Sequence, residues 1–383
     1  MKEIYLDNAA TTKPYDKVVN RVTEVLKNYY GNPSSLHRKG IEAEKIIKEA
    51  RREIAKKLKV KPNEIYFTSG GTEGNNMLIK GGVKALKRYG NRIITSSIEH
   101  PSVLEVFNRL EEEGFDVIRL SVDKEGIIDI EELKSYLNDD TILVSIMGIN
   151  NEIGTIQPLA QIGEILSKYE RLYFHIDGVQ TFGKWNLHPS KIRADLCTIS
   201  SHKVHGPKGV GAVYIKDGSR ITNLIAGSGQ ESGIRPGTEN VPGIAGFAKA
   251  TELIFERVDK ERLYSLKELL VKRILNEIDD TQLNGPKIRE GAPHIANISF
   301  AGIKGEVLIH SLEREGIYLS TGAACSSKQD TPSYILEAIG VSREMMEGAI
   351  RFSLSDTIDE DHINYTVDKV KENVQMLRKI MMR

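Results

Sequence analysis

The chain has 383 residues, which at roughly 150 residues per domain is a prior for two or three domains and excludes a peptide, a lone binding module or a disulfide-stapled miniprotein. Lys plus Arg (53) balance Asp plus Glu (53), so no global field draws the chain to nucleic acid or to an acidic membrane. Its two cysteines, Cys197 and Cys325, stand far apart without a CxxC or a Cys/His cluster, which excludes a disulfide framework and a zinc ribbon.

The amino-terminal run Met1 to Asp7 has no apolar signal core, and no stretch of about 18 apolar residues occurs, which predicts a soluble, cytoplasmic protein. From Glu64 the chain alternates short β-branched runs with longer amphipathic stretches. Strands are predicted at 65–68, 92–96, 116–121, 142–147, 172–176, 196–200 and 210–215, and helices at 73–89, 102–113, 130–136 and 158–169. Such alternation predicts an α/β fold with a mostly parallel sheet covered by helices on both faces, broken at the last two strands, which lack a helix-length connection. After Thr238 a long apolar-periodic region to Ile278 reads as one connecting helix or a pair. From Ala296 the order becomes strand 298–300, helix 306–315, strand 317–320, helix 332–339, strand 349–354 and helix 360–378, a compact α+β second domain. With no repeat, low-complexity segment or long linker, the two domains are expected to share a broad interface.

In an open parallel sheet, ligands bind at the carboxyl ends of the strands. Strand 65–68 runs into Ser69-Gly70-Gly71-Thr72-Glu73, either an anion cradle of free N–H groups at a helix start or a glycine turn capped by Thr72. Strand 172–176 delivers Asp177, an acid able to hold a cationic ring nitrogen or simply to cap a turn. Strand 196–200 leads into Ser200-Ser201-His202-Lys203, where partial burial between two apolar strands would lower the lysine pKa and favour a Schiff base. His100, after strand 92–96, is a helix cap or a flat titratable group aimed at the same edge. Phosphate cradle, ring-nitrogen acid, stacking histidine and Schiff-base lysine together describe a pyridoxal 5'-phosphate site.

These residues, with Tyr5 to Thr12, Gly31 to Ser35, Phe67 to Thr72, Asn150 to Gly154, Asp177 to Gln180, Ser200 to Gly209 and Arg235 to Asn240, resemble the NifS/IscS-type cysteine desulfurases of the class V aminotransferase group, fold type I. The resemblance runs almost end to end. It implies a large cofactor domain (15–255) and a small domain (1–14 with 256–383) carrying a catalytic cysteine loop. On it, Lys203 would bind the cofactor covalently, His100 would stack on the ring and assist proton transfer, and Asp177 would pair with the pyridinium nitrogen. Gln180 would contact the phenolic oxygen, Asn151 would lie beside ring and substrate, and Gly71, Thr72, Ser200, Ser201 and His202 would hold the phosphate side. Thr238 would complete that side from the other subunit of a homodimer.

Cys325 lies among small polar residues, where a nucleophilic thiol has access, whereas Cys197 lies in an apolar strand and reads as core. Arg351, a charge inside an apolar strand, is either a buried ion pair or the site that grips the substrate carboxylate. The resemblance implies L-cysteine as substrate, a persulfide on Cys325, L-alanine as product, and a sulfur-acceptor protein, either an iron–sulfur scaffold or a tRNA-thiolation enzyme. It implies no intrinsic metal, although Cys325 would be free to ligate a cluster shared with a scaffold. A selenocysteine lyase, another class V aminotransferase and a non-catalytic sulfur carrier are the alternatives. Ser201, Pro236, Gly74 and Ser355 depart from the family pattern, and the absence of a longer tail after Arg383 leaves the acceptor open on this reading.

Overall fold

The computed structural model describes residues 3–322 and 333–381. The amino-terminal strand β1 (Ile4–Tyr5) precedes helices α1 (Asp16–Asn28) and α2 (Arg38–Leu58), both of which lie before the first predicted element. Seven strands follow in the central sheet: β2 (Ile65–Thr68), β3 (Arg92–Ser96), β4 (Asp116–Leu120), β5 (Thr141–Met147), β6 (Tyr173–Asp177), β7 (Leu196–Ser200) and β8 (Gly211–Ile215). Their spatial order is β2-β8-β7-β6-β5-β3-β4, with every pairing parallel except the two that β8 makes with β2 and β7. The break therefore falls at β8, because the short β7–β8 connection cannot return the chain to the other end of the sheet.

Period-two alternation divides the strands between two cores. Ile93, Leu143, Leu196 and Val213 pack beneath α3 (Gly71–Leu86) and α4 (Pro101–Glu112), while Ile94, Val144, Phe174 and Ala212 face the core shared with α2. Cys197 belongs to this second core, fully buried, and burial pushes its thiol pKa well up, so it is structural as read. Gly74, one of the departures from the family pattern, sits where a Cβ would lie 2.7 Å from Thr198 Cγ2 and 2.9 Å from Val213 Cγ1, so a side chain there would require those two strand residues to shift.

The long region after Thr238 is two helices, Val241–Arg257 and Lys260–Glu277, broken at Asp259, whose carboxylate caps the second by accepting from the N–H groups of Glu261 and Arg262. Beyond them strands Thr281–Asn284, Ile295–Phe300 and Ala349–Ser353 form a three-stranded antiparallel sheet with Ile295–Phe300 central. The polar edge strand Thr281–Asn284 carries little sequence signal. Ile317–Tyr318 leaves that sheet and pairs in parallel with β1, and Ile4 and Leu6 join the apolar core of the carboxyl-terminal region with Leu263, Phe300 and Phe352. The helix predicted from Pro332 is Tyr334–Ala338. Among the described residues no helix is long and apolar enough to cross a membrane.

Candidate active site

Five parallel strand ends converge on one cavity of about 300 Å³. Strand β2 contributes Gly71 and Thr72, β3 contributes His100, β5 contributes Asn151, β6 contributes Asp177 and Gln180, and β7 contributes Ser200, His202 and Lys203. Arg351, from the second sheet, closes the wall opposite. The turn before α3 is made by Gly70 at φ 155°, and a Cβ on Gly71 would stand 2.9 Å from Val179 Cγ2. Gly71 and Thr72 thus bring the start of a 16-residue helix, whose first-turn N–H groups have no partner within the helix, to the cavity wall.

Lys203 Nζ donates to the carbonyls of Ala9 (2.6 Å) and Ala10 (2.7 Å) in the amino-terminal strap. Gln180 Nε2 donates to the same Ala9 oxygen at 2.8 Å, and its Oε1 accepts from Lys184 Nζ at 3.2 Å. Burial, with Lys203 and Arg351 nearby, pushes Lys184 down to about 7. The strap also meets His202, whose Nδ1 lies 3.1 Å from Thr11 Oγ1; burial and then the charge of Lys203 push this ring down to about 4, so it is neutral at pH 7.

Asp177 Oδ1 accepts from Val179 N (3.0 Å) and its Oδ2 from Asn75 Nδ2 (2.8 Å), which fixes both carboxylate oxygens on the cavity wall. Asn151 Oδ1 and Ser200 Oγ are buried without a partner among the described residues, and both belong to residues lining the cavity. Such orphaned groups mark where a polar ligand belongs. Helix-end donors and a serine hydroxyl at one side, a carboxylate at another and a lysine amine between them fit the phosphate, ring nitrogen and aldehyde carbon of pyridoxal 5'-phosphate.

Two predicted site residues stand apart from this group. The Ser201 hydroxyl points away, into the space where a Cβ on Gly206 would lie 2.1 Å from it, so Ser201 supports the turn and does not line the cavity. Thr238 is exposed and is not on the wall of its own chain's cavity. Cys325 lies outside the described residues; the nearest described residue before it, Gly322, lines the cavity.

Several residues were not singled out by sequence. Asp7 accepts from Arg351 Nη2 at 2.7 Å, an ion pair joining positions at opposite ends of the chain. Glu152, buried and pushed up by desolvation, accepts from Ser333 Oγ at 2.7 Å. Glu99, fully buried beside His100, accepts from Ser96 Oγ (2.7 Å) and Met147 N (2.9 Å). Desolvation pushes Glu99 up to about 8, so the folded protein holds a proton that the unfolded chain releases above about pH 4.3. Stability accordingly falls as pH rises toward 8. Glu99→Gln should leave the melting temperature unchanged near pH ~5 and raise it by a few degrees near pH ~9, as thermal denaturation at the two pH values would measure.

Residues 4–365 match the Aminotransferase class-V family, and the chain belongs to it. Its fold is that of a pyridoxal-phosphate enzyme of that class. It is 46% identical over 381 residues, 99% of this chain and 96% of the relative, to the cysteine desulfurase IscS of Dictyoglomus turgidum. It is also 40% identical to a cysteine desulfurase of Rattus norvegicus, over 99% of this chain and 84% of the relative. A solved NifS-like protein superposes with a TM-score of 0.92 at 38% identity, covering 98% of this chain and all of that one. SspA in complex with cysteine superposes at 0.81 with 34% identity, over 92% of this chain and 99% of that one.

Proposed function

We propose that this protein is a cysteine desulfurase that uses pyridoxal 5'-phosphate to take sulfur from L-cysteine, giving L-alanine and a persulfide on Cys325. The observation that carries the reading is the single cavity in which Lys203, Asp177 and the α3 helix end converge, with Arg351 on its wall. When bound, the cofactor supplies an electron sink that weakens bonds at the substrate α and β carbons. Lys203 attaches the cofactor and moves the proton at the substrate α-carbon, and Asp177 holds the ring nitrogen protonated. Gln180, its oxygen committed to Lys184, presents its amide N–H toward the phenolic oxygen. Gly71, Thr72, Ser200 and His202 receive the phosphate. Arg351 binds the substrate carboxylate.

Sulfur transfer then breaks the substrate C–S bond and forms an S–S bond to the Cys325 thiolate; the carbon retains the bonding pair, is protonated and leaves as alanine. Cys325→Ala should bind the cofactor normally and reduce persulfide and alanine formation from cysteine to background. Persulfide labelling and alanine release would measure this; normal persulfide in the variant would end the assignment.

The working unit on this reading is a homodimer. Thr238, exposed and off the wall of its own chain's cavity, suits a role in a second subunit's phosphate site. A domain division at 1–14 with 256–383 against 15–255 accompanies the reading, supported by the shared core of Ile4, Leu6 and Leu263. Cytoplasmic location and delivery of sulfur to an iron–sulfur scaffold or tRNA-thiolation enzyme complete it.

A further inference from the structure

Gln180 and Lys184 stand four positions apart in the turn that follows β6, with Gly183 at φ 75° between them, and they meet side chain to side chain. The two ends of the Gln180 amide have opposite partners. Nε2 donates to the Ala9 carbonyl at 2.8 Å, and a carbonyl only accepts; Oε1 accepts from Lys184 Nζ at 3.2 Å, an N–H donor in either charge state. Exchanging the amide oxygen and nitrogen would set oxygen against oxygen at Ala9. An amide nitrogen carries two protons; Ala9 takes one, and the other is left for the cavity that Gln180 lines. The Ala9 oxygen also accepts from Lys203 Nζ at 2.6 Å, so one carbonyl orients both the amine that attaches the cofactor and the amide aimed at its oxygen.

Lys184 is buried and does not itself line the cavity. Among the described residues no carboxylate pairs with it. The charged and titratable groups that act on it, or on which it acts, are Lys203, Arg351 and the imidazoles of His202, His205 and His294. None is an acid. Burial in that company disfavours the ammonium, which is why its pKa falls to about 7. An apolar side chain of the same length would be easier to bury, so packing alone does not explain a lysine here. Its N–H on Gln180 does.

We infer that Lys184 is a positioning residue for the phenolic oxygen of the cofactor: by holding Gln180 Oε1 it directs the second Nε2–H of Gln180 into the cavity. The inference rests on the reading in which Gln180 meets that oxygen. A donor at the phenolic oxygen stabilises negative charge there, and that charge is greatest when the Lys203 nitrogen joined to the cofactor has given up its proton. A well-placed Gln180 therefore lowers the pH at which this proton leaves, and a Gln180 free to turn raises it.

Lys184→Met keeps the length of the side chain and removes the donor. Titrating the visible absorbance of the cofactor-loaded protein should show its pH midpoint raised by about 0.5–1 unit, and pyridoxal 5'-phosphate should bind the cofactor-free variant about 3–10-fold more weakly, each the loss of about one hydrogen bond. Gln180→Met should raise the midpoint as well, and adding Lys184→Met to it should raise it no further, because Lys184 acts through Gln180. An unmoved midpoint in a folded Lys184→Met protein, whatever its melting temperature, would make Lys184 a strut of the turn and overturn the inference; so would shifts that add in the double variant, which would mean that its charge acts directly. Should Lys184→Met fail to fold, Lys184→Gln, whose amide stops about one bond short of Oε1, tests the same loss with the same upward shift expected. The expected shifts in a protein that releases no alanine from cysteine would sustain the role of Lys184 and refute the desulfurase reading instead.

Discussion

Replacing Lys203 with alanine should abolish the covalent cofactor link and lower turnover of cysteine by at least ~10²–10⁴-fold. The residue follows strand β7 at the carboxyl edge of the sheet, half-buried, and two strap carbonyls, Ala9 and Ala10, orient Nζ at 2.6 and 2.7 Å. Carbonyls accept and do not neutralise, so these two aim the amine. Lys203→Arg isolates the chemistry, since a guanidinium retains charge and donors but forms no Schiff base. Both variants should bind pyridoxal phosphate reversibly, remove the visible absorbance that survives gel filtration in the wild type, and leave no borohydride-trapped adduct. The alanine variant also leaves the Ala10 carbonyl without its donor while Ala9 retains Gln180 at 2.8 Å, so its stability should fall by only ~0.5–1.5 kcal/mol. A trapped cofactor in Lys203→Ala would mean that another amine carries it, with buried Lys184 the first to examine.

Legibility of the site in the sequence followed the sheet. Each strand end couples an apolar run to a short polar segment, so Asp177, His100 and Lys203 stand out against their neighbours, and the parallel order brings them together without further information. What escaped has two physical causes. Asn75 lies inside a helical run, where a polar residue reads as solvent-facing until the fold places Asp177 2.8 Å from it. Asp7 and Arg351 are 344 positions apart, and the pairing of β1 with Ile317–Tyr318, the isolated bridge of Asp7 to Ser353 and the bonds of Asn8 and Ala9 to Ser353 draw them together. The chemistry of single residues is thus local, while their pairing is a property of topology.

Arg351 is where the two readings of a buried charge separate by experiment. Its guanidinium is 2% exposed, with Nη2 on Asp7 at 2.7 Å and Nη1 on the carbonyls of Asn151 at 2.9 Å and Gly322 at 3.3 Å. Nε is buried without a partner among the described residues, an unused donor on a cavity-lining side chain. An ion pair with Asp7 alone accounts for Nη2 and explains why Arg351→Ala should destabilise, toward the lower end of ~3–5 kcal/mol because Asp7 keeps some contact with solvent. It does not account for Nε or for the two carbonyls, which fix the plane of the fork without neutralising it. Arg351→Lys therefore carries the test: it preserves a charge for Asp7 but loses the planar donor set. If the fork grips the substrate carboxylate, KM for L-cysteine should rise ~10–100-fold with kcat less affected and the melting temperature nearly unchanged, the loss of about one charge-assisted hydrogen bond. An unchanged KM in a folded Arg351→Lys enzyme would reduce the residue to a strut between Asp7 and the second sheet, and substrate orientation would then have to come from other cavity residues such as Asn151, whose Oδ1 is also buried without a partner among the described residues.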